Sequence, residues 1–254
     1  MNICLFTPDE ISKPLSLRDE RAEHIVKILH KNAGDSFEAG IVGGMAGTAV
    51  ITRMGTKSDT DGGSISFSFK PETDGKQLYP LTLIIGFPRP IQLKRLLRDV
   101  SALGACAVHL TGTELGEKSY MQSSLVERGA AYQMLLDGTV QAAGTHVPEL
   151  FLHTKLEDCL QAVPQNPLKT ALDNKAQTCS LRQWLLHNPP LDTSGKPVPV
   201  TAAIGSERGW TDRERSMLQE NGYTLCGMGC RIMRTETAAT VSASIILSAM
   251  GVLE

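Results

Sequence analysis

The sequence predicts an α/β protein whose larger domain is preceded by a small β-barrel. Two observations carry this. From Leu81 onward, short apolar runs alternate with stretches of helical apolar periodicity, the pattern of a parallel sheet covered by helices. Residues 1–72 instead hold short apolar runs broken by glycines and by turn clusters such as Gly43-Gly44 and Thr60-Asp61-Gly62-Gly63. The expected division is therefore a barrel over 1–72, a linker over 73–80 and an α/β domain over 81–254.

Within the barrel region a single helical window stands out, Asp19 to Lys31. Ala22, Ile25, Val26, Ile28 and Leu29 form its apolar face, beside Arg21, His24, Lys27, His30 and Lys31. Phe37–Ala39, Gly47–Thr52 and Ser64–Lys70 read as strands, the last placing Ile65, Phe67 and Phe69 on one side. In the α/β domain, strands are expected at Leu81–Gly86, Ala105–Leu110, Leu168–Leu172, Val200–Ile204 and Tyr223–Cys226. Helices are expected at Ile91–Leu103, Ser123–Ala142, Thr211–Asn221 and from Thr235 or Glu236 onward. The third opens on a T-x-x-E capping box, Thr211 and Glu214, and stops at Gly222. The last is expected to bury Ala239, Val241, Ile245, Ile246 and Ala249 or Met250. His187 to Pro199, rich in Pro and Gly, reads as an excursion loop.

Composition narrows the function classes. Hydrophobic residues make up 41% and charged residues 20%, as in a folded soluble protein, and no apolar run reaches the roughly 20 residues that span a bilayer. With no secretory pattern at the N-terminus, the expectation is a cytoplasmic protein. A net charge of −2 provides no global attraction to nucleic acid, so an RNA partner would have to meet local basic patches. Six scattered cysteines do not form a disulfide framework, and Cys226 and Cys230 lack a second pair to complete a metal site; no metal is expected.

Three loops follow three consecutive C-terminal strands: the one after Leu172, Gly205-Ser206-Glu207-Arg208-Gly209-Trp210, and Gly227-Met228-Gly229-Cys230-Arg231. Open α/β sheets bind ligands outside the carboxyl ends of their strands, where glycine lets the backbone approach a ligand. Neither G-x-G-x-x-G nor G-x-x-x-x-G-K-[ST] is present, which disfavours dinucleotide and nucleoside-triphosphate chemistry. The densest polar cluster is Arg231-Ile-Met-Arg234-Thr235-Glu236-Thr237. Arginine there can hold a phosphate or steady a carbonyl oxygen, whereas Glu236 at a helix start serves capping.

Taken together, Ile204, Gly205, Glu207, Gly209, Gly229, Arg231, Ile232, Arg234, Glu236, Thr237 and Ala238 resemble, in order, the C-terminal signature of the RsmE family. These are SPOUT-class methyltransferases that act on N3 of a uridine in small-subunit (16S) ribosomal RNA. Weaker similarity lies at Glu23-His24-Ile25 through Gly34-Asp35, at Leu103-Gly104, Thr113-Glu114 and Ser119, and at Gln141 with Val147-Pro148-Glu149. The resemblance implies an N-terminal PUA-like RNA-binding domain, a trefoil-knotted C-terminal domain, a homodimer, and S-adenosylmethionine as cofactor. It places the cofactor on Leu172, Gly205, Glu207, Gly209, Met228, Gly229, Ile232, Arg234, Thr237 and Ala238.

Ser206, Arg208 and Cys230 depart from that signature, as does His30 in the N-terminal segment. Since N3 of uridine is a poor nucleophile until its proton leaves, Arg231 or Arg234 is expected to stabilise the negative charge. Arg21, Lys27, His30, Lys31, Arg95 and Arg98, with Arg89 and Lys94, are the candidates for RNA contact. Two other functions fit the same residues: methylation of another nucleotide, as at a 2′-hydroxyl, or a non-catalytic role in RNA binding or ribosome assembly.

Overall fold

Alternating small and apolar residues build the N-terminal sheet. The computed structural model describes residues 2–56, 63–122 and 129–253. Thr60-Asp61-Gly62 of the expected turn and the first six residues of the expected 123–142 helix lie outside the described residues. Strands β1 (Cys4–Phe6), β2 (Leu15–Ser16), β3 (Ser36–Ile41), β4 (Ala46–Met54) and β5 (Ser64–Thr73) form one sheet, in the order β1-β3-β4-β5-β2. Their inward residues Phe6, Phe37, Ala49, Ile51 and Ile65 make its core, and the rings of Phe6 and Phe67 lie 4.9 Å apart.

Asp19 caps α1 (Glu20–Glu23) by accepting from the Arg21 amide at 2.8 Å. The expected helix through Lys31 does not continue as α-helix. A π-helical turn takes over at His24–Ile28, where the Leu29 amide bonds to the His24 carbonyl, and His30 leaves the helix at φ +52°. Three β-branched residues, Ile25, Val26 and Ile28, fall in this segment and propagate an α-helix poorly.

The chain forms two compact units, and the division is not a single cut. The first comprises Met1–Gln77 together with Thr139–Val147; the second comprises Leu78–Gly138 and Pro148–Glu254. The returning segment is tied in by the Gly43 amide donating to the Thr145 carbonyl at 2.8 Å and by Lys76 Nζ donating to the Ala142 carbonyl at 2.7 Å. In place of the expected 73–80 linker, only residues 74–78 separate β5 from the next strand.

The second unit contains β6 (Tyr79–Gly86), α2 (Pro90–Ala102), β7 (Ala105–Thr111), α3 (Lys118–Met121), α4 (Ala130–Gln141), β8 (Glu149–His153) and α5 (Leu156–Ala162). It continues with β9 (Leu168–Leu172), β10 (Cys179–Ser180), α6 (Leu181–His187), β11 (Val200–Ile204), α7 (Asp212–Glu220), β12 (Thr224–Gly227) and α8 (Thr235–Ala249). The last residues of α4 pass into the first unit's segment. All paired strands of the second sheet are parallel, in the order β10-β12-β9-β11-β6-β7-β8.

Pro90 starts α2 in its first turn, and Leu93, Leu96, Leu97 and Val100 form its buried stripe. The capping box of α7 is formed: the Glu214 amide donates to Thr211 Oγ1 at 3.2 Å, and the Thr211 amide to Glu214 Oε2 at 2.9 Å. In α8 the buried stripe is rotated from the expected one. Ala239, Ser242, Ala243, Ile246 and Leu247 are buried, while Val241 and Ile245 are half-buried. Ser242 can enter the interior because its hydroxyl donates to the Ala239 carbonyl at 3.1 Å. No helix among the described residues is long and apolar enough to cross a membrane.

Candidate functional site

Three adjacent parallel strands, β12, β9 and β11, end at the same edge of the sheet, and their following loops meet there. The cleft between them has a volume of about 290 Å³. Leu172, Ile204 and Cys226 come from the strand ends, Asp173 from the first loop, Gly205 to Trp210 from the second, and Met228, Gly229 and Arg231 to Met233 from the third. Thr235 and Ala238 of α8 complete the wall.

The loops are bound to one another through the backbone. Trp210 Nε1 donates to the Leu172 carbonyl at 3.0 Å, the Asp173 amide to the Cys226 carbonyl at 3.0 Å, and Thr235 Oγ1 to the Gly205 carbonyl at 3.2 Å. A Cβ at Gly205 would stand 3.0 Å from the Gly209 carbonyl carbon, and one at Gly86 would stand 2.5 Å from the Ser206 amide. Close backbone approach therefore fixes both positions. At Gly209 and Gly229, with φ +77° and +98°, a Cβ would meet no atom within 4 Å, so the backbone there borders open space. The cleft is a shallow cradle of backbone and apolar side chains, in which the carboxylates of Asp173 and Glu207 are already paired with arginines.

Asp173 is the buried charge of the site. Its Oδ2 accepts from Arg215 Nε at 2.5 Å, and its Oδ1 accepts from the amides of Lys175 and Ala176 at 2.5 and 3.0 Å. Burial pushes this carboxyl up, yet the Lys175 amide, the Arg215 guanidinium and the Ala176 amide outweigh it and hold the group below its ordinary value. Glu207 at the rim pairs with Arg89 Nε at 3.1 Å. Neither Asp173, Arg215 nor Gly86 is marked by a sequence motif. An acidic residue directly after an apolar strand was the only available signal for Asp173.

Of the residues expected to hold a cofactor, Leu172, Gly205, Glu207, Gly209, Met228, Gly229, Ile232 and Ala238 line the cleft. Arg234 and Thr237 do not. Arg234 occupies the cap position of α8, and Thr237 is exposed in its first turn. Of the two arginines expected to act in catalysis, Arg231 lines the cleft, and Arg234 is exposed between the cleft residues Met233 and Thr235.

Most of the expected RNA contacts already have partners. Arg21 donates to Glu10, Asp19 and the Leu5 carbonyl at 2.7–3.2 Å, and its guanidinium lies 4.9 Å from the centre of the Phe6 ring. Lys27 pairs with Glu23, Arg95 with Asp99 and Arg98 with Asp137. His30 is exposed, and Lys31 and Lys94 form no ion pair with the described residues.

The RNA methyltransferase domain family matches residues 75–247. The chain is 38% identical over 256 residues to Ribosomal RNA small subunit methyltransferase E of Treponema pallidum (strain Nichols), covering 98% of this chain and 91% of that protein. It is 29% identical over 250 residues to Ribosomal RNA small subunit methyltransferase E 1 of Borreliella burgdorferi, covering 97% of each. Among solved structures, a Ribosomal RNA small subunit methyltransferase E from Neisseria gonorrhoeae bound to S-adenosyl methionine has a TM-score of 0.74 at 19% identity, covering 98% of this chain and 97% of that one. A probable rRNA-methyltransferase from Porphyromonas gingivalis has a TM-score of 0.77 at 17% identity over the whole of both chains. At these identities the solved structures establish the shared fold.

Proposed function

We propose that this chain, which belongs to the RNA methyltransferase domain family, methylates small-subunit ribosomal RNA with S-adenosylmethionine as donor. The single observation that carries this is the 38% identity, along almost the full length, to a small-subunit ribosomal RNA methyltransferase. The acceptor in this reading is N3 of a uridine. The C-terminal unit works as a trefoil-knotted SPOUT domain in a cytoplasmic homodimer, and the N-terminal unit works as a PUA-like RNA-binding domain. Ile232, 82% exposed at the cleft, is apolar surface that a second copy would cover.

The bound cofactor supplies a methyl group already activated by its sulfonium, so the protein's main contribution is alignment. Leu172, Met228, Ile232 and Ala238 supply apolar contact, and the backbone at Gly205, Gly209 and Gly229 comes close without side-chain obstruction. Glu207 at the rim is paired with Arg89, and Asp173 is neutralised by Arg215, so the wall carries no free charge from either. N3 must lose its proton to solvent before its electron pair can form the new C–N bond, and the resulting charge spreads onto the two ring carbonyl oxygens. Arg231, which lines the cleft, is the residue that stabilises this charge.

Calorimetry with S-adenosylmethionine, and mass spectrometry of ribosomal RNA from cells with and without the protein, test this reading. Binding is expected, together with loss of one methylated uridine in the small-subunit RNA. Loss of a 2′-O-methyl group would reassign the acceptor, and absence of cofactor binding would overturn the enzyme. Within the reaction, Arg231→Ala is expected to lower kcat by about 100-fold with RNA affinity retained. Arg234→Ala should act mainly through the start of α8, and equal kcat losses in both variants would reject the distinction.

A further inference from the structure

The β8 edge of the second sheet gathers three side chains of metal-ligating type, none of which lines the cleft. Strands β7 and β8 run parallel with His109 opposite Phe151 and Thr111 opposite His153, so the two-residue alternation turns both histidines to one face. Helix α5 follows β8 and packs back on both strands, and Leu156, Cys159 and Leu160 are its buried residues. Cys159 thereby meets the two imidazoles: one donor atom from each of the three residues lies within 4.8 Å of the others. His109 is far from the other two in the chain, so no ligand-spacing motif marks the set.

His109 Nδ1 faces His153 Nε2 at 3.0 Å, and two lone pairs at that separation repel, so a proton or a cation must lie between them. His109 is 2% exposed, and its other nitrogen, Nε2, is buried with no hydrogen-bond partner among the described residues. No core group therefore fixes the tautomer, and Nδ1 is free to carry a lone pair. We infer that His109 Nδ1, His153 Nε2 and Cys159 Sγ bind a zinc ion, leaving a fourth position for water. Imidazole and thiolate together select a borderline-soft divalent cation over magnesium or calcium. A tetrahedral zinc spaces such ligand atoms about 3.3 to 3.6 Å apart, so the imidazole pair opens slightly and the thiol moves by about 1 Å at most. Binding forms two Zn–N bonds and one Zn–S bond and releases the thiol proton to solvent. The ion is structural: it ties β7, β8 and α5 together and secures an edge strand that is paired on one side only.

Zinc titrated by calorimetry into the full-length protein, dialysed first against a chelator, should bind at one ion per chain. At about a hundredfold excess over its Kd it should raise the unfolding midpoint by about 5 °C or more. Cobalt(II), which accepts the same ligands, should give a thiolate-to-metal absorption band together with the visible bands of a tetrahedral ion. Cys159→Ala should abolish the thiolate band and weaken zinc by at least about 100-fold, since losing a ligand costs more than losing one of its outer partners. His153 is half-buried, so His153→Ala should fold, and it should weaken zinc by a similar factor whether or not the cysteine variant folds. Cys179→Ala and Cys230→Ala should keep both the band and the affinity. No zinc bound by the wild type, wild-type affinity in His153→Ala, a thiolate band that survives Cys159→Ala, or a band lost in either of the other cysteine variants would overturn the inference.

Discussion

The carboxylate of Asp173 is occupied on both oxygens, by Arg215 on one and by the amides of Lys175 and Ala176 on the other. That side chain holds the β9 loop against α7, while the Asp173 backbone amide donates to the Cys226 carbonyl of β12. The two side chains are 1% and 9% exposed, so the pair is desolvated, and removal of one partner strands the other. Asp173→Ala is therefore expected to cost about 3 kcal/mol of stability, partly offset because Asp212 also reaches Arg215 at 2.7 Å. Asp173→Asn keeps the shape, and one acceptor remains for the two amides. It should raise KM for S-adenosylmethionine several-fold with a smaller change in kcat, since the loop shapes the cleft but does not bear the reacting atoms. Denaturant unfolding and steady-state kinetics read the two effects separately, and wild-type KM in the asparagine variant would remove Asp173 from the site.

Strand β7 and the edge strand β8 carry a different kind of burial. His109 is 2% exposed, its Nδ1 lies 3.0 Å from His153 Nε2, and the Phe151 ring is 4.5 Å away. Cys159 of α5, whose thiol burial pushes up to about 12, closes the same cluster. Burial first, and the His153 charge second, push His109 down to about 4. The folded protein thus binds this proton less tightly than the unfolded chain. Stability is full above about pH 6.5 and falls as the pH drops towards 4, by about 2 to 3 kcal/mol in total from this group. Unfolding midpoints at pH 7.5 and 4.5 should show this fall in the wild type and a shallower one in His109→Phe; parallel slopes would assign the acid sensitivity elsewhere.

These elements also show what the sequence discloses. Leu168–Leu172 and Val200–Ile204 are legible to the residue because each is a short run with apolar ends, opened by a proline and closed by Asp173 or Gly205. Glu149–His153 and α5 are not legible, since an edge strand mixes exposed and buried residues over only five positions. In the site, the glycine loop and Arg231 stand out locally. The roles of Gly86 and Arg215 depend on β6, β9 and β11 being neighbours, which sheet order decides and chain order hides.

For the molecule as a whole, a net charge of −2 means that RNA affinity must come from a few cations. Being basic does not make a side chain available. Lys27 and Arg95 sit in exposed i,i+4 pairs, which are weak enough to exchange a carboxylate for a phosphate. Arg21 is held by two carboxylates, a carbonyl and a ring, and acts as a strut of the N-terminal unit. Binding to small-subunit RNA measured across a salt series separates these roles. Lys31→Ala and Lys94→Ala should each shallow the slope of log K against log salt by about 0.7 to 0.9, the change expected for one lost phosphate contact. Arg21→Ala should leave the slope unchanged and lower the unfolding midpoint, because what it removes is internal. A slope that falls by one contact in Arg21→Ala at an unaltered midpoint would return that residue to the RNA surface, and slopes insensitive to Lys31 and Lys94 would move the surface away from both.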